Sequence, residues 1–206
     1  MKIEIFVTGI ISTNCYAVVN EDSKETVLID PAAYPKKLKN YLQDNGLQVR
    51  GILLTHGHFD HIMGIDAILE DFKVPVYVHE EEKELIADPI LNESRTYTKG
   101  YAYDKAEFVR DGQTLNLIGY EFKVIHTPGH TSGGASYYVE SEHVVFSGDT
   151  LFHGSVGRTD FKTSSMSDLI RSIREKLFLL PDETIVYPGH MEATTIGTEK
   201  NINPYV

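Results

Sequence analysis

The sequence predicts an α/β (α+β) protein built from two mixed β-sheets packed face to face, with helices on the outside. Three observations carry this prediction. Short alternating or apolar runs recur along the whole chain, each bounded by turn-forming residues. A few helical patterns fall between those runs rather than in one block. The chain has 206 residues, 41% of them hydrophobic and 24% charged, which suits one ordered domain over residues 1–206.

The opening MKIEIFVTGI alternates Lys2 and Glu4 with Ile3, Ile5 and Val7. It reads as a strand over Ile3 to Thr8 and not as a secretory leader, because no long apolar stretch follows. Further strands are expected at Tyr16 to Asn20, Thr26 to Ile29, Gly51 to Leu54 and Val74 to Val78. Helices are expected over Pro35 to Asn45, closed by Gly46, and over Ile62 to Glu70, where Ile62, Ile65 and Leu69 repeat at helical spacing. The second half repeats the rhythm, with strands at Glu107 to Val109, Thr114 to Ile118, Glu121 to Ile125, Ser136 to Val139, His143 to Phe146 and Thr184 to Tyr187. A helix over Ser167 to Phe178 has Ser167 and Asp168 at its cap and Leu169, Ile173 and Leu177 in its apolar stripe. Ala87 to Lys105 shows no periodicity, so it is either a misread element or a functional loop. Its Tyr97, Tyr101 and Tyr103 are candidate substrate contacts at a site's rim; the competing reading is a surface hairpin or helix with half-buried tyrosines.

A formal net charge of −11 argues against a nucleic-acid surface. No run approaches the roughly 18 apolar residues of a membrane span. Cys15 is the one cysteine, so no intrachain disulfide forms, and a reducing, cytoplasmic location is expected. Any metal must then be held by histidine and carboxylate.

Such a set is present. The apolar run GILL leads into THGHFDH, Thr55 to His61. Residues two apart on an extended segment share a side, so His56 and His58 can converge on one ion, while Asp60 and His61 lie a turn on, where a helix begins, and aim elsewhere. That pattern suits two adjacent sites of the kind zinc, manganese or iron occupies. Taken singly, Asp60 is as easily a helix cap and each histidine an ordinary hydrogen-bonded residue; the density of the run is what favours metal. Three further apolar strands end in Gly-containing turns that deliver His130, Asp149 and His190.

With these residues the chain resembles the metallo-β-lactamase superfamily of metallohydrolases, and the resemblance spans nearly its whole length. The segments HGHFDH, TPGHTSGG, SGDTLF, GRTDF, YPGH and TTIGTEKNINP are most similar to a short bacterial form of the glyoxalase II group, the hydroxyacylglutathione hydrolases. The resemblance implies an αββα sandwich without the C-terminal helical extension of full-length glyoxalase II. It implies two divalent ions per chain, zinc first, iron or manganese next. His56, His58 and His130 would hold metal 1, Asp60, His61 and His190 metal 2, and Asp149 would bridge them. The true β-lactamases carry a cysteine ligand where this chain has Asp149, which argues against antibiotic hydrolysis.

The expected reaction is hydrolysis of a small-molecule thioester to an acid and a thiol by a metal-bridging hydroxide, with Asp60 as a further proton acceptor. A thiolate leaving group, whose conjugate acid has a pKa of about 8.5, needs no strong general acid. Metal removal is expected to leave Asp60 and Asp149 repelling each other and to lower the melting temperature. Arg158 in GSVGRTD aligns with a basic substrate contact of the family, although the tyrosine expected after it is replaced by Thr159 and Asp160, so an internal Arg158–Asp160 pair is the alternative. Only 16 residues follow His190, with Lys200 the one basic residue among them. Bacillithiol, coenzyme A or another small thiol therefore stands beside glutathione as the thiol half. The second function class is a persulfide dioxygenase with one iron held by His56, His58 and Asp149, and the third a noncatalytic metal-binding protein. Of the other histidines, His79 and His143 read as structural or solvent-facing, and His126 and His153 as neighbours of ligand loops. Asp30 either turns the chain before Pro31 or hydrogen-bonds an imidazole.

Overall fold

The computed structural model describes residues 1–206. Its elements run β1 (Lys2–Thr8), β2 (Thr13–Val19), β3 (Glu25–Ile29), α1 (Lys36–Asp44), β4 (Gln48–Leu53), α2 (Phe59–Ile62), α3 (Ile65–Asp71), β5 (Val76–His79), α4 (Lys83–Ala87), α5 (Ser94–Tyr97) and β6 (Glu107–Val109). The second half contains β7 (Thr114–Leu117), β8 (Tyr120–His126), β9 (Ala135–Val139), β10 (Val144–Gly148), β11 (Leu151–Phe152), β12 (Ser155–Val156), α6 (Met166–Glu175), β13 (Ile185–Pro188), β14 (Thr194–Thr195) and α7 (Ile196–Ile202). Strands β1 to β6 form one sheet in sequence order, and a second has the order β14-β13-β10-β9-β8-β7. Both are mixed: β3 to β6 run parallel beside an antiparallel β1-β2-β3, and β10 and β13 are the parallel pair of the second sheet. This is the expected sandwich.

The period of two along each strand explains the layering. On β2, Cys15 and Ala17 face the helices with Leu38, Leu42, Ile62 and Ile65, while Tyr16 and Val18 face the other sheet with Phe122, Tyr137 and Phe146. A third cluster joins Tyr138, Val145 and Val186 to Leu169 and Ile173 of α6 and Ile196 of α7. The four layers are therefore helix, sheet, sheet, helix. No helix is long and apolar enough to cross a membrane.

Differences from the expected elements have local causes. The helix expected over Ile62 to Glu70 is two helices, because Gly64 N–H bonds the Pro31 carbonyl at 2.8 Å, and a side chain there would collide with that oxygen and Ala33. Strand β2 begins three residues before Tyr16, since Thr13 and Asn14, polar and turn-like in sequence, are buried and paired with β1. Ser165, not Ser167, caps α6, its hydroxyl accepting the Asp168 N–H at 3.3 Å. The unpatterned stretch contains α5 and is organised by wholly buried Asn92 and Ser94, both bonded to the Tyr101 carbonyl.

Candidate metal centre

The two sheets are stitched at one end by backbone bonds, Ala135 N–H to Thr55 O at 2.8 Å and Asn14 N–H to Gly189 O at 2.7 Å. There the turns after β4, β8, β10 and β13 meet, bringing His56, His58, Asp60, His61, His130, Asp149 and His190 together. Donor atoms of His56, His58 and His130 lie within 4.8 Å of one another, as do those of Asp60, His61 and His190, and those of His56, His61 and Asp149. Asp149 touches both triads: Oδ2 is 3.5 Å from His130 Nε2 and 3.6 Å from His190 Nε2, and Oδ1 is 3.5 Å from His61 Nε2. Gly189 is packed onto Asp149 Oδ1, where any side chain would displace the carboxylate.

Neighbouring residues fix which imidazole nitrogen carries the lone pair. Buried Asp30 accepts the Thr55 N–H at 2.8 Å and the Thr55 hydroxyl at 2.6 Å. With its proton so committed, Thr55 Oγ1 accepts from His56 Nδ1 at 3.2 Å and leaves Nε2 bare. The Arg158 carbonyl likewise accepts from His130 Nδ1 at 2.8 Å, turning Nε2 toward His58 Nδ1 at 2.9 Å. Asp30 Oδ2 also lies 3.0 Å from His61 Nδ1, so Asp30 serves an imidazole and occupies a left-handed turn (φ 50°) at once. The bare donors test the fit of a metal. His56 Nε2, His58 Nε2, His61 Nε2 and Asp149 Oδ1 are buried without hydrogen-bond partners, an arrangement that costs several kcal/mol per group in a protein interior unless a cation satisfies it. The donor set, imidazole and carboxylate without thiolate, fits zinc, iron or manganese.

Burial holds His56, His58 and His130 below the usual imidazole range, reinforced for His56 by the neighbouring His61 and for His58 by His130. Neutral imidazole is the metal-binding form. His61 is pushed well above that range: burial opposes the shift, but Asp60, Asp30 and Asp149 overcome it. His190 is likewise raised by Asp60 and Asp149 against burial. The expected repulsion between Asp60 and Asp149 is therefore moderated in the metal-free chain by His61 and His190, whose charged forms those carboxylates favour. The melting temperature should still fall on chelation, because an ion binds the folded state alone; at about 1,000 times its Kd it adds ~4 kcal/mol, or about 10 °C for a chain of this size. Calorimetry with and without a chelator checks this, and an unchanged melting curve after verified metal loss would refute it.

A cavity of about 430 Å³ opens beside the histidines, walled by Ile11, Phe59, Tyr97, Phe152, Val156 and Phe161 among others. Of the three expected tyrosines only Tyr97 reaches it, stacked on Phe59 at 4.7 Å. Tyr101 and Tyr103 lie elsewhere: both pack against the helix-side core, Tyr103 facing a separate groove beside Asp66 of α3, because Asn92 and Ser94 tie the Tyr101 carbonyl inward. Arg158 lines the cavity but is already paired twice with Asp160, at 2.6 Å each, and lies over Phe161 at 4.5 Å. Sequence reasoning missed Thr13, whose hydroxyl donates to Asp60 Oδ2 at 2.8 Å, and Glu82, whose carboxylate accepts the N–H groups of Gly57 and Gly133.

His126 Nε2 donates to the Ser132 carbonyl at 2.9 Å, bracing the turn that carries His130, and stacks on His79 at 4.1 Å. His153 pairs with Glu192 near the surface. Burial and the His126 ring lower His79 to about 4. A base depressed on folding supports stability above its unfolded value near 6.5 and withdraws that support as pH falls toward 4. At pH 5 the loss amounts to about 2 kcal/mol. Urea unfolding of the metal-free chain between pH 7 and 5 should therefore be steeper in pH for the native sequence than for His79→Phe; parallel curves would refute the assignment.

The model of the metallo-beta-lactamase superfamily matches residues 8–190. The chain is 38% identical to the probable metallo-hydrolase YqgX of Bacillus subtilis, covering 100% of this chain and 98% of that one. It is 33% identical to the hydroxyacylglutathione hydrolase GloC of Haemophilus influenzae over 100% and 98% of the two chains. Among solved structures it is similar to the BLEG-1 B3 metallo-beta-lactamase (40% identity, TM-score 0.93, 99% of each chain) and to TTHA1623 in a di-iron-bound form (35%, 0.87, 98% and 100%).

Proposed function

Because the chain belongs to the metallo-β-lactamase superfamily, we propose that it is a binuclear metal-dependent hydrolase acting on small-molecule thioesters. The observation that carries this reading is the convergence of seven metal-ligating side chains, four of which, His56, His58, His61 and Asp149, keep a buried donor atom without a hydrogen-bond partner. His56, His58 and His130 would hold one ion and Asp60, His61 and His190 the other, with Asp149 placed against both triads. The likeness to GloC supports the thioester, and TTHA1623 supports iron beside zinc and manganese as the metal. Divalent ions in such a site acidify a coordinated water to a pKa of about 7 and polarise an acyl carbonyl. The chain's own part is positional. Thr55 and the Arg158 carbonyl fix the imidazoles, Thr13 holds Asp60 Oδ2 beside His61 and His190, and apolar side chains line the cavity where the acyl group would lie.

Elemental analysis of protein purified without chelators, followed by a thioester panel, tests the proposal. About two ions per chain and thioester turnover that tracks metal content are expected. A single iron that persists after zinc loading would favour oxygen-dependent persulfide oxidation instead. The likeness to BLEG-1 makes opening of a β-lactam, the same attack on an acyl carbon, the second reading. A chromogenic cephalosporin belongs in the same panel, and its turnover without that of any thioester would replace the first reading.

A further inference from the structure

The hairpin β11–β12 is a two-stranded sheet separate from the two large ones, with two residues in each strand. Such a unit has too little pairing to hold its own shape. It nevertheless carries Phe152, Ser155 and Val156 into the cavity wall, with the Phe152 ring edge-on to His190 at 6.3 Å. Leu151 and Val156 share an apolar cluster with Ile196 of α7, and the polar anchor comes from the same helix. Glu199 is wholly buried. Its Oε2 accepts the Gly154 N–H, at the turn of the hairpin, and the Asn203 side-chain amide, each at 2.9 Å; its Oε1 accepts the Thr194 hydroxyl at 2.6 Å. Asn203 Nδ2 donates in addition to the Ser155 carbonyl at 3.0 Å. Thr194, Glu199 and Asn203 all fall within TTIGTEKNINP, and none of them belongs to the donor set.

We infer that Glu199 is a positioning residue for substrate: it fixes the β11–β12 hairpin to α7 and so sets the face that Phe152 and Val156 present to a bound thioester. The inference rests on the hydrolase reading of the site. The effect falls on substrate and not on the ions, because the turn carrying His190 has its own supports. Gly189 N–H donates to the Gly148 carbonyl at 2.8 Å, Asn14 donates to the Pro188 and Met191 carbonyls, and Thr194 is paired with Val186 of β13. The bonding pattern also decides which replacement is tolerated. The Gly154 and Asn203 N–H groups meet on one oxygen, while a hydroxyl, which accepts as well as donates, faces the other. A glutamine with its oxygen toward Gly154 and its amide toward Thr194 therefore keeps every contact. Alanine leaves the Gly154 N–H without its acceptor and releases the hairpin.

Glu199→Ala, Glu199→Gln and Phe152→Ala, all metal-loaded, are compared on the thioester that the native protein turns over fastest. Glu199→Ala should raise KM about tenfold, with kcat within about twofold and metal content unchanged, and Glu199→Gln should stay within about twofold of native in KM and kcat. Added to Phe152→Ala, Glu199→Ala should raise KM by less than about twofold more, since it acts through that ring. Hydrogen exchange of residues 151–156 should quicken in Glu199→Ala and stay native in Glu199→Gln. Asn203→Ala removes one anchor of the hairpin and spares Glu199; it should raise KM about threefold and serves where Glu199→Ala does not fold. A native KM in both alanine variants, metal loss beside a raised KM, full additivity with Phe152→Ala, a glutamine variant as impaired as alanine, or unchanged exchange would each overturn the inference. Quickened exchange in a protein without thioester turnover would count against the hydrolase reading alone.

Discussion

Replacing Asp149 by alanine should lower bound metal from about two ions per chain to one or fewer and cut kcat/KM by about 1,000-fold or more. Its two oxygens stand between the donor triads, 3.5 to 3.6 Å from one imidazole of the first and two of the second, and Gly189 fixes its position. Asp60 belongs to the second triad alone, its Oδ2 lying 3.2 Å from His61 Nε2 and from His190 Nε2. Elemental analysis and steady-state kinetics on the same preparation check the result. An Asp149→Ala protein that keeps two ions and full turnover would remove the bridging role and, with it, the binuclear reading.

Glu82→Gln should lower stability by about 3 kcal/mol and loosen the metal at the same time. Glu82 is wholly buried, and its two oxygens accept the N–H of Gly57 and of Gly133, each at 2.8 Å. Gly57 lies between His56 and His58, and Gly133 three residues beyond His130, so one carboxylate clamps both turns that supply the first triad. Burial raises the Glu82 pKa, and the N–H groups of Gly57 and Gly133 counter it. Glutamine offers an acceptor to one N–H and a second N–H to the other, which leaves a buried donor unpaired. The melting temperature should drop by about 10 °C at this chain length. Metal retained after dialysis should fall in the Gln variant and fall further in Glu82→Ala; unchanged values for both quantities would refute the clamp.

These two residues mark where the sequence is readable and where it is not. Asp149 stands out because the apolar run HVVF and a glycine precede it, so its place at a strand end can be inferred from local pattern. Glu82 is the last of three consecutive glutamates, a run that looks like solvated surface, and nothing local tells which one folds inward. The same limit applies to Thr13 and Thr55, whose partners are 47 and 25 residues away. The layering is legible in the recurring short apolar strands with helical patterns between them, whereas the order of strands within each sheet is set by pairings between distant residues. Strand starts are not legible, because Asn14 is held by the Pro188 and Met191 carbonyls of the opposite sheet's loop and Thr13 by Asp60 after β4. The tyrosines fail for a related reason: Tyr97, Tyr101 and Tyr103 are equivalent in sequence, and Asn92 and Ser94 decide which of them faces the cavity.

The stitched end of the sandwich has a consequence for how the molecule assembles and comes apart. His56, His58, Asp60 and His61 hang from the sheet containing β4, and His130, Asp149 and His190 from the sheet containing β8, β10 and β13. Neither half presents a complete cage by itself, so ion capture must follow the docking of the halves and cannot nucleate it. Ions seated among these donors would join the halves, and separating the sheets would then require breaking their coordination bonds as well. The loaded protein is therefore expected to refold at nearly the rate of the empty one and to unfold far more slowly, its durability being a matter of the escape rate.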